Sequence, residues 1–205
     1  MLLRYHLITN FKLFSMSTLD NPNERVAESS VSFWPSAVRI GIVGGLIMII
    51  YGLVGIFTGL ASPAKGLGAL MLNFLIVIVL YVGITVYGVR THRNEELGGY
   101  ISFGRAFLTG LVVIVIAGII SAIFTYVYMA FIDPDYMAKM VDDMRVMYER
   151  LGMDEDQIDQ AMSQLEGRMS PSSNLTSSLI FSGVIGAIVS LIVGAIMKRN
   201  PPEAV

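Results

Sequence analysis

The sequence predicts an all-α membrane protein: four transmembrane helices, with a two-helix amphipathic insertion outside the membrane between the third and the fourth. Four runs of about 19 to 27 residues lack Asp, Glu, Lys, Arg and His, and runs of that length can cross a bilayer. Only 15% of the residues are charged, against about 25% in soluble domains. Residues 133–174, between the last two runs, hold ten acidic and four basic residues.

The composition also excludes several functions. The chain has no cysteine, which removes disulfides, thiolate catalysis and cysteine metal sites. His6 and His92 are too isolated for a metal cluster, and a net charge of −2 gives no basic surface for nucleic acid. We therefore predict no catalytic residue, no cofactor, no metal site and no nucleic-acid partner.

Three regions follow from the pattern of charges. Residues 1–35 are a polar N-terminal region, in which we expect 1–15 to be a false translation start preceding Met16, and 17–32 to be disordered. Residues 36–199 form the membrane domain. Residues 200–205 are a short C-terminal tail.

The first predicted span covers residues 40–60. Trp34 before it suits the interfacial belt, and Arg39 can extend to the headgroups. Glycines recur at steps of three, four and seven residues and so share one face of the helix. Small residues let membrane helices approach closely, so these are candidate packing residues: Gly41, Gly45, Gly52, Gly55 and Gly59. General glycine enrichment of membrane helices is the alternative explanation.

A short turn at residues 61–65 predicts a hairpin into the second span, residues 66–89. Asn73 is the one strongly polar group inside this span, and we expect it to form an interhelical hydrogen bond rather than bind a ligand. Basic residues follow the span, and His92 among them is expected to be a solvated loop residue.

The third span covers residues 106–132, which at about 1.5 Å per residue are about 40 Å long, more than the roughly 30 Å hydrocarbon core. Ser102, after the turn at Gly98 and Gly99, is the predicted N-cap of this helix. Small residues again share a face and are candidate packing residues: Gly110, Ala117 and Ser121.

The acidic segment, residues 133–174, is expected to contain two helices. Asp133 is the predicted N-cap of the first, with Pro134 at its first position, and Gly152 ends it. Asp154 and Gln157 have the spacing of a capping box for the second. Methionines recur every three or four residues on the first helix. This apolar face could bind a partner, lie on the bilayer or cover the bundle.

Residues 170–174 read as a linker before the fourth span, residues 179–197. The fourth span carries a further set of candidate packing residues: Gly183, Ala187, Ser190 and Gly194. Lys198 and Arg199 end it.

The distribution of Lys and Arg predicts the orientation. With the N-terminus inside, nine lie on the inner side and five on the outer side. Cytoplasmic loops are rich in these residues, so both termini are predicted to be cytoplasmic and the acidic helices extracytoplasmic.

Two motifs carry a family resemblance. Residues 98–107 read GGYISFGRAF before the third span, and residues 131–136 read FIDPDY after it. In these motifs, residues 36–199 resemble the four-helix bacterial membrane proteins grouped as domain of unknown function 4199. The motif positions are Gly99, Ser102, Phe103, Gly104, Asp133 and Pro134. The resemblance implies a multi-pass protein of the bacterial inner membrane, and no activity or catalytic residue.

The uncharged spans argue against coupled transport, which usually needs ionisable groups in the bilayer. They also lack the nucleophile with a base, the carboxylate pair or the metal site of an intramembrane enzyme. The sequence therefore favours a structural, assembly or interaction component whose partners are the lipid bilayer and another membrane protein or a second copy. A passive small-solute transporter or channel subunit acting as an oligomer is the alternative.

Overall fold

The computed structural model describes residues 28–166 and 170–200, and within them the protein is all-helical, as predicted, with one isolated bridge between Ile101 and Arg199. The α-helices are α1 (Trp34–Thr58), α2 (Leu67–Thr91), α3 (Phe103–Val127), α4 (Tyr136–Arg150), α5 (Glu155–Glu166) and α6 (Pro171–Met197). One π-helical turn, His92–Glu96, continues α2, and another, Tyr128–Ile132, continues α3. Four helices (α1, α2, α3 and α6) are long and apolar enough to cross a membrane, which agrees with the four predicted spans.

The third membrane helix, α3, is the centre of the bundle and packs most extensively against α6 and α1. Glycines of α1 allow the close approach: a Cβ atom at Gly41 would lie 2.8 Å from Cβ of Ile116, and one at Gly45 would lie 2.8 Å from Cβ of Ile120. Helix α2 packs less extensively and has the lowest buried fraction of the four.

Glycines lie at the interface between α3 and α6. Gly118 faces Ser182, Gly186 faces the side chain of Ile114, and Gly194 lies against the backbone of α3 at Phe107. Gly118 and Gly186 were not among the candidate packing residues. These contacts bring the two backbones together, which supplies van der Waals packing where lipid provides little hydrophobic drive.

The remaining candidate packing residues take varied positions. Gly110 lies between Thr85 and Ser190, and Ala117 is fully buried. Gly59 ends α1 in the left-handed conformation, at φ 63°. A Cβ atom at Gly55 would lie 3.7 Å from that of Ala61. Gly52 and Gly183 have open space beside them, and Ser121 and Ala187 are half-buried.

Several predicted helix ends are confirmed. The Ser102 hydroxyl accepts a hydrogen bond from the Arg105 N–H and caps α3. Gly152 lies two residues after the last residue of α4, with φ 78°. Asp154 and Gln157 form the reciprocal capping box, in which the Gln157 N–H donates to the Asp154 carboxylate at 2.8 Å.

The prediction that Asp133 caps the next helix is wrong. Helix α4 begins at Tyr136, with Asp135 at the N-cap position. The Asp133 N–H instead donates to the Tyr128 carbonyl at 2.8 Å and closes the π-helical turn. Its carboxylate accepts from Lys139 at 3.0 Å. Two competing hydrogen bonds thus remove Asp133 from the helix start.

The predicted linker at residues 170–174 is also wrong, because α6 begins at Pro171. The Ser170 hydroxyl accepts from the Ser173 N–H at 3.1 Å, and proline stands at the first helical position, where its missing N–H costs nothing. Serine followed by proline reads equally as a linker or as a helix start, and here it is the helix start.

At the N-terminal edge, disorder was predicted for residues 17–32. Residues 17–27, like the expected false start at 1–15, lie outside the described residues. In the part of this segment that the structure describes, Glu28–Ser30 form a 3-10 turn and the Glu28 carboxylate accepts from the Ser102 hydroxyl at 2.6 Å.

Part of the methionine-bearing face of α4 is used in contacts within the chain. Helix α4 packs against α5 and against the turn Pro63–Lys65 that joins α1 to α2. The Ser62 hydroxyl donates to the Asp143 carboxylate at 2.6 Å. Met147, Ile158 and Met162 are buried, so the apolar faces of α4 and α5 are largely used within the chain.

Candidate functional site

Two polar features lie at opposite ends of the bundle, and the first is a buried histidine cluster. His92 is fully buried, so its predicted solvated position is wrong. Its Nδ1 lies 2.7 Å from Glu96 Oε2 and 3.4 Å from the Ser36 hydroxyl. The Arg105 Nε–H donates to His92 Nε2 at 3.1 Å. The π-helical turn carries His92 out of the expected loop and under the start of α3.

Arg105 fixes the tautomer of this histidine. A guanidinium group only donates, so Nε2 must accept and the ring proton lies on Nδ1, where it is donated to the Glu96 carboxylate. Arg105 also donates to the Val31 carbonyl, and its guanidinium lies 4.9 Å from the centre of the Phe33 ring. The cluster thereby fastens the residues before α1 to the bundle.

The arrangement does not form a nucleophilic relay. Such a relay needs the hydroxyl at one ring nitrogen and the carboxylate at the other. Here the Ser36 hydroxyl and the Glu96 carboxylate share Nδ1, and Arg105 occupies Nε2. The geometry indicates a structural clamp. In the described part of the chain, no three His, Asp or Glu residues meet in the way a metal site requires.

The second feature is a cavity of about 360 Å³ at the other end of the bundle, between the four membrane helices and beneath α4. Its apolar lining includes Met48, Val77, Phe124 and Met129. Its polar lining consists of hydroxyl and amide groups: Tyr51, Asn73, Ser121, Thr125, Tyr128, Tyr136, Asn174 and Ser178. All described residues that line it are uncharged. Such a lining suits a molecule with an apolar body and one or two hydrogen-bonding groups.

One hydrogen bond crosses the cavity wall. The Tyr51 hydroxyl donates to Asn73 Oδ1 at 2.6 Å and joins α1 to the loosely packed α2. This is the interhelical role expected of Asn73. An asparagine amide also carries two N–H donors, so Asn73 can bind a further acceptor.

A second cavity, of about 350 Å³, adjoins the first, and both are lined by Ala61, Tyr136 and Met140. The second cavity is also lined by three charged residues: Asp133, Lys139 and Asp143. We call this second, outer cavity the acidic mouth. Burial raises the pKa of the Tyr136 hydroxyl, and Tyr128, Asp143 and Asp133 raise it further. Tyr136 is therefore a neutral hydroxyl at physiological pH, in a negative local potential.

Towards the histidine cluster the bundle is closely packed. Val113, Ile114, Thr85, Thr109 and Ser190 are fully buried there. The Ser190 hydroxyl has no hydrogen-bond partner among the described residues, and a Cβ at neighbouring Gly110 would lie 2.9 Å from it. The packing leaves the cavity closed at this end.

Four long apolar helices, closed at one end by a polar clamp and holding a cavity at the other, define a multi-pass membrane protein. The chain belongs to the family described as protein of unknown function (DUF4199), whose family model matches residues 39–199, and the resemblance noted in the sequence is thereby confirmed. No curated protein and no solved structure matches it.

Proposed function

We propose that this protein is a non-enzymatic component of the bacterial inner membrane that acts by recognition, and that its recognition site is the cavity beneath α4. The occupant is a small amphiphile with an uncharged, largely apolar body and hydrogen-bonding groups. The observation that carries the proposal is the cavity of about 360 Å³, lined by both apolar side chains and neutral hydroxyl and amide groups. Ligand sites typically have volumes of about 300 to 1,000 Å³ and this mixed lining.

The orientation in the membrane is part of the proposal. Basic residues gather at the end of the bundle that holds the histidine cluster, and this end faces the cytoplasm with both termini. The acidic helices α4 and α5, with the acidic mouth, then lie on the extracytoplasmic face. Ligand enters from that side or from the outer leaflet.

An assembly role, favoured by the sequence, is retained in a narrower form. Gly41, Gly45 and Gly194 are used in contacts within the chain, as is part of the methionine face of α4. A second copy or another membrane protein would therefore contact the lipid-facing surfaces. Ligand binding in the cavity would then alter the contact with that partner.

Passive transport, the alternative function, receives less support. The closely packed layer around Val113 and Thr109 closes the cavity towards the cytoplasmic end. A transporter or channel of this kind would need a path between copies of the chain. The cavity supports binding without such an assembly.

The proposal is tested by photolabelling in lipid nanodiscs with an eight-carbon alcohol that carries a diazirine. We expect saturable labelling of cavity residues, competed by octan-1-ol. Ser121→Phe fills the cavity and should abolish this labelling, whereas Ile123→Phe, on the lipid-facing side of α3, should not. Labelling that is equal in the two variants would refute a binding cavity.

A further inference from the structure

The acidic mouth adds charged side chains to a cavity whose interior lining is neutral. Asp133 is neutralised by Lys139, whose ammonium group lies 3.0 Å from both carboxylate oxygens. Asp143 accepts a hydrogen bond from the Ser62 hydroxyl at 2.6 Å. Within residues 28–166 and 170–200, no Lys, Arg or His nitrogen lies within ion-pair distance of Asp143. Asp143 is therefore a carboxylate of the mouth that has no ion-pair partner among the described residues. The Lys65 ammonium group lies beside Gly59 in the same wall and donates to the Thr58 carbonyl at 2.7 Å.

Asp143 is also well placed to act on an occupant of the cavity. It is half-buried, and it lines the outer cavity together with Tyr136 and Met140, which line the inner cavity as well. A molecule in the inner cavity that extends past Tyr136 thus reaches the carboxylate. A partly desolvated carboxylate attracts a cation more strongly than an exposed one, because screening by water is weaker.

The aromatic rings at the junction suit the same chemistry. The rings of Tyr128 and Tyr136 pack edge to face, with centroids 5.9 Å apart. Aromatic faces attract ammonium groups, and the effect increases with desolvation. A cationic head at this position would lie beside the ring of Tyr136, which lines both cavities, and would be attracted by the carboxylate, while the neutral inner cavity accepts an apolar body.

We propose that the cavity is selective for amphiphilic organic amines, with the ammonium group bound at Asp143 in the acidic mouth and the alkyl or aryl body in the inner cavity. This inference rests on the proposed binding function of the cavity and specifies its ligand class. A neutral amphiphile of the same length occupies the cavity but lacks the contact with Asp143.

The experiment compares two diazirine probes of equal length in nanodiscs of zwitterionic lipid, an eight-carbon primary amine and the corresponding alcohol. The charge-assisted contact predicts that the amine labels the cavity residues at about tenfold lower concentration than the alcohol. Asp143→Asn keeps an acceptor for Ser62 and should remove this preference while leaving labelling by the alcohol unchanged. Unchanged labelling by the alcohol also shows that the variant is folded.

Asp142→Asn is the matched control, because it removes the same charge from an exposed position one residue away. We expect it to retain the preference for the amine. Equal loss in both variants would mean that the amine responds only to the general negative charge of α4, and would overturn the proposed site. Equal labelling by the two probes in the wild type would overturn the amine selectivity and leave the binding cavity intact. Absence of saturable labelling by either probe would overturn the binding cavity itself.

Discussion

The interface between α3 and α6 gives a sharp test of the packing at Gly118. An alanine Cβ atom at this position would lie 2.5 Å from both Cβ and Oγ of Ser182. The Ser182 hydroxyl can rotate away, but its Cβ atom is fixed to the backbone of α6. Gly118→Ala therefore forces the two helices apart, and overpacking of this kind costs about 1 to 3 kcal/mol.

The matched control is Gly52→Ala, a helical position of α1 with open space beside it. Each substitution also gains the helix propensity of alanine, about 1 kcal/mol, and this gain cancels when the two variants are compared. We expect Gly118→Ala to be less stable than Gly52→Ala by about 1 to 3 kcal/mol. The measurement is the free energy of unfolding in mixed micelles, followed by circular dichroism.

The double variant Gly118→Ala with Ser182→Gly isolates the clash. Removing the Ser182 side chain makes room for the new methyl group, so the double variant should recover most of the lost stability. Equal stability of Gly118→Ala and Gly52→Ala, or no recovery in the double variant, would refute the close approach of α3 and α6.

Two further predictions concern the polar contacts. Tyr51→Phe removes the hydrogen bond to Asn73 and should lower the unfolding free energy by about 0.6 kcal/mol, and by no more than about 1.7 kcal/mol. The control is Tyr87→Phe, on the exposed face of α2, which should leave the unfolding free energy unchanged. Equal effects of the two substitutions would count against the contact between Tyr51 and Asn73. Arg105→Lys loses the planar donors that join His92 to the residues before α1, and should speed hydrogen exchange at residues 31–37. Exposed Arg39→Lys is its control, and the same exchange rates in both variants would show that the clamp is not needed there.

The sequence predicted those features that depend on local chemistry. Uncharged runs are sufficient to locate four spanning helices because lipid excludes ionised groups. Ser102 and the pair Asp154 and Gln157 were recognisable as caps because their side chains act within three residues. The sequence also predicted that Asn73 forms a hydrogen bond with another helix, because an amide inside a span needs a polar partner. It did not identify Tyr51 as that partner.

Features that depend on packing could not be predicted in the same way. A helix that is apolar all round has no preferred face in its sequence, so the choice of Gly118 over Gly183 for contact with a neighbouring helix depends on the arrangement of the bundle. His92 stands among basic residues and reads as solvated, but the π-helical turn and Arg105 bury it. The cavity beneath α4 is lined by residues of five helices, and only the fold brings them together.

The central claim is that the cavity opens towards the acidic face, and a single cysteine at position 121 tests it most directly. The chain has no native cysteine, so Ser121→Cys introduces a unique thiol into the cavity lining. Its rate of modification by a small membrane-impermeant thiol reagent is measured in right-side-out and inverted membrane vesicles. We expect modification only from the face that carries α4, and slower modification in the presence of octylamine. Modification only from the opposite face would contradict the claim, whereas a rate that octylamine does not change would contradict binding of the amine in the cavity.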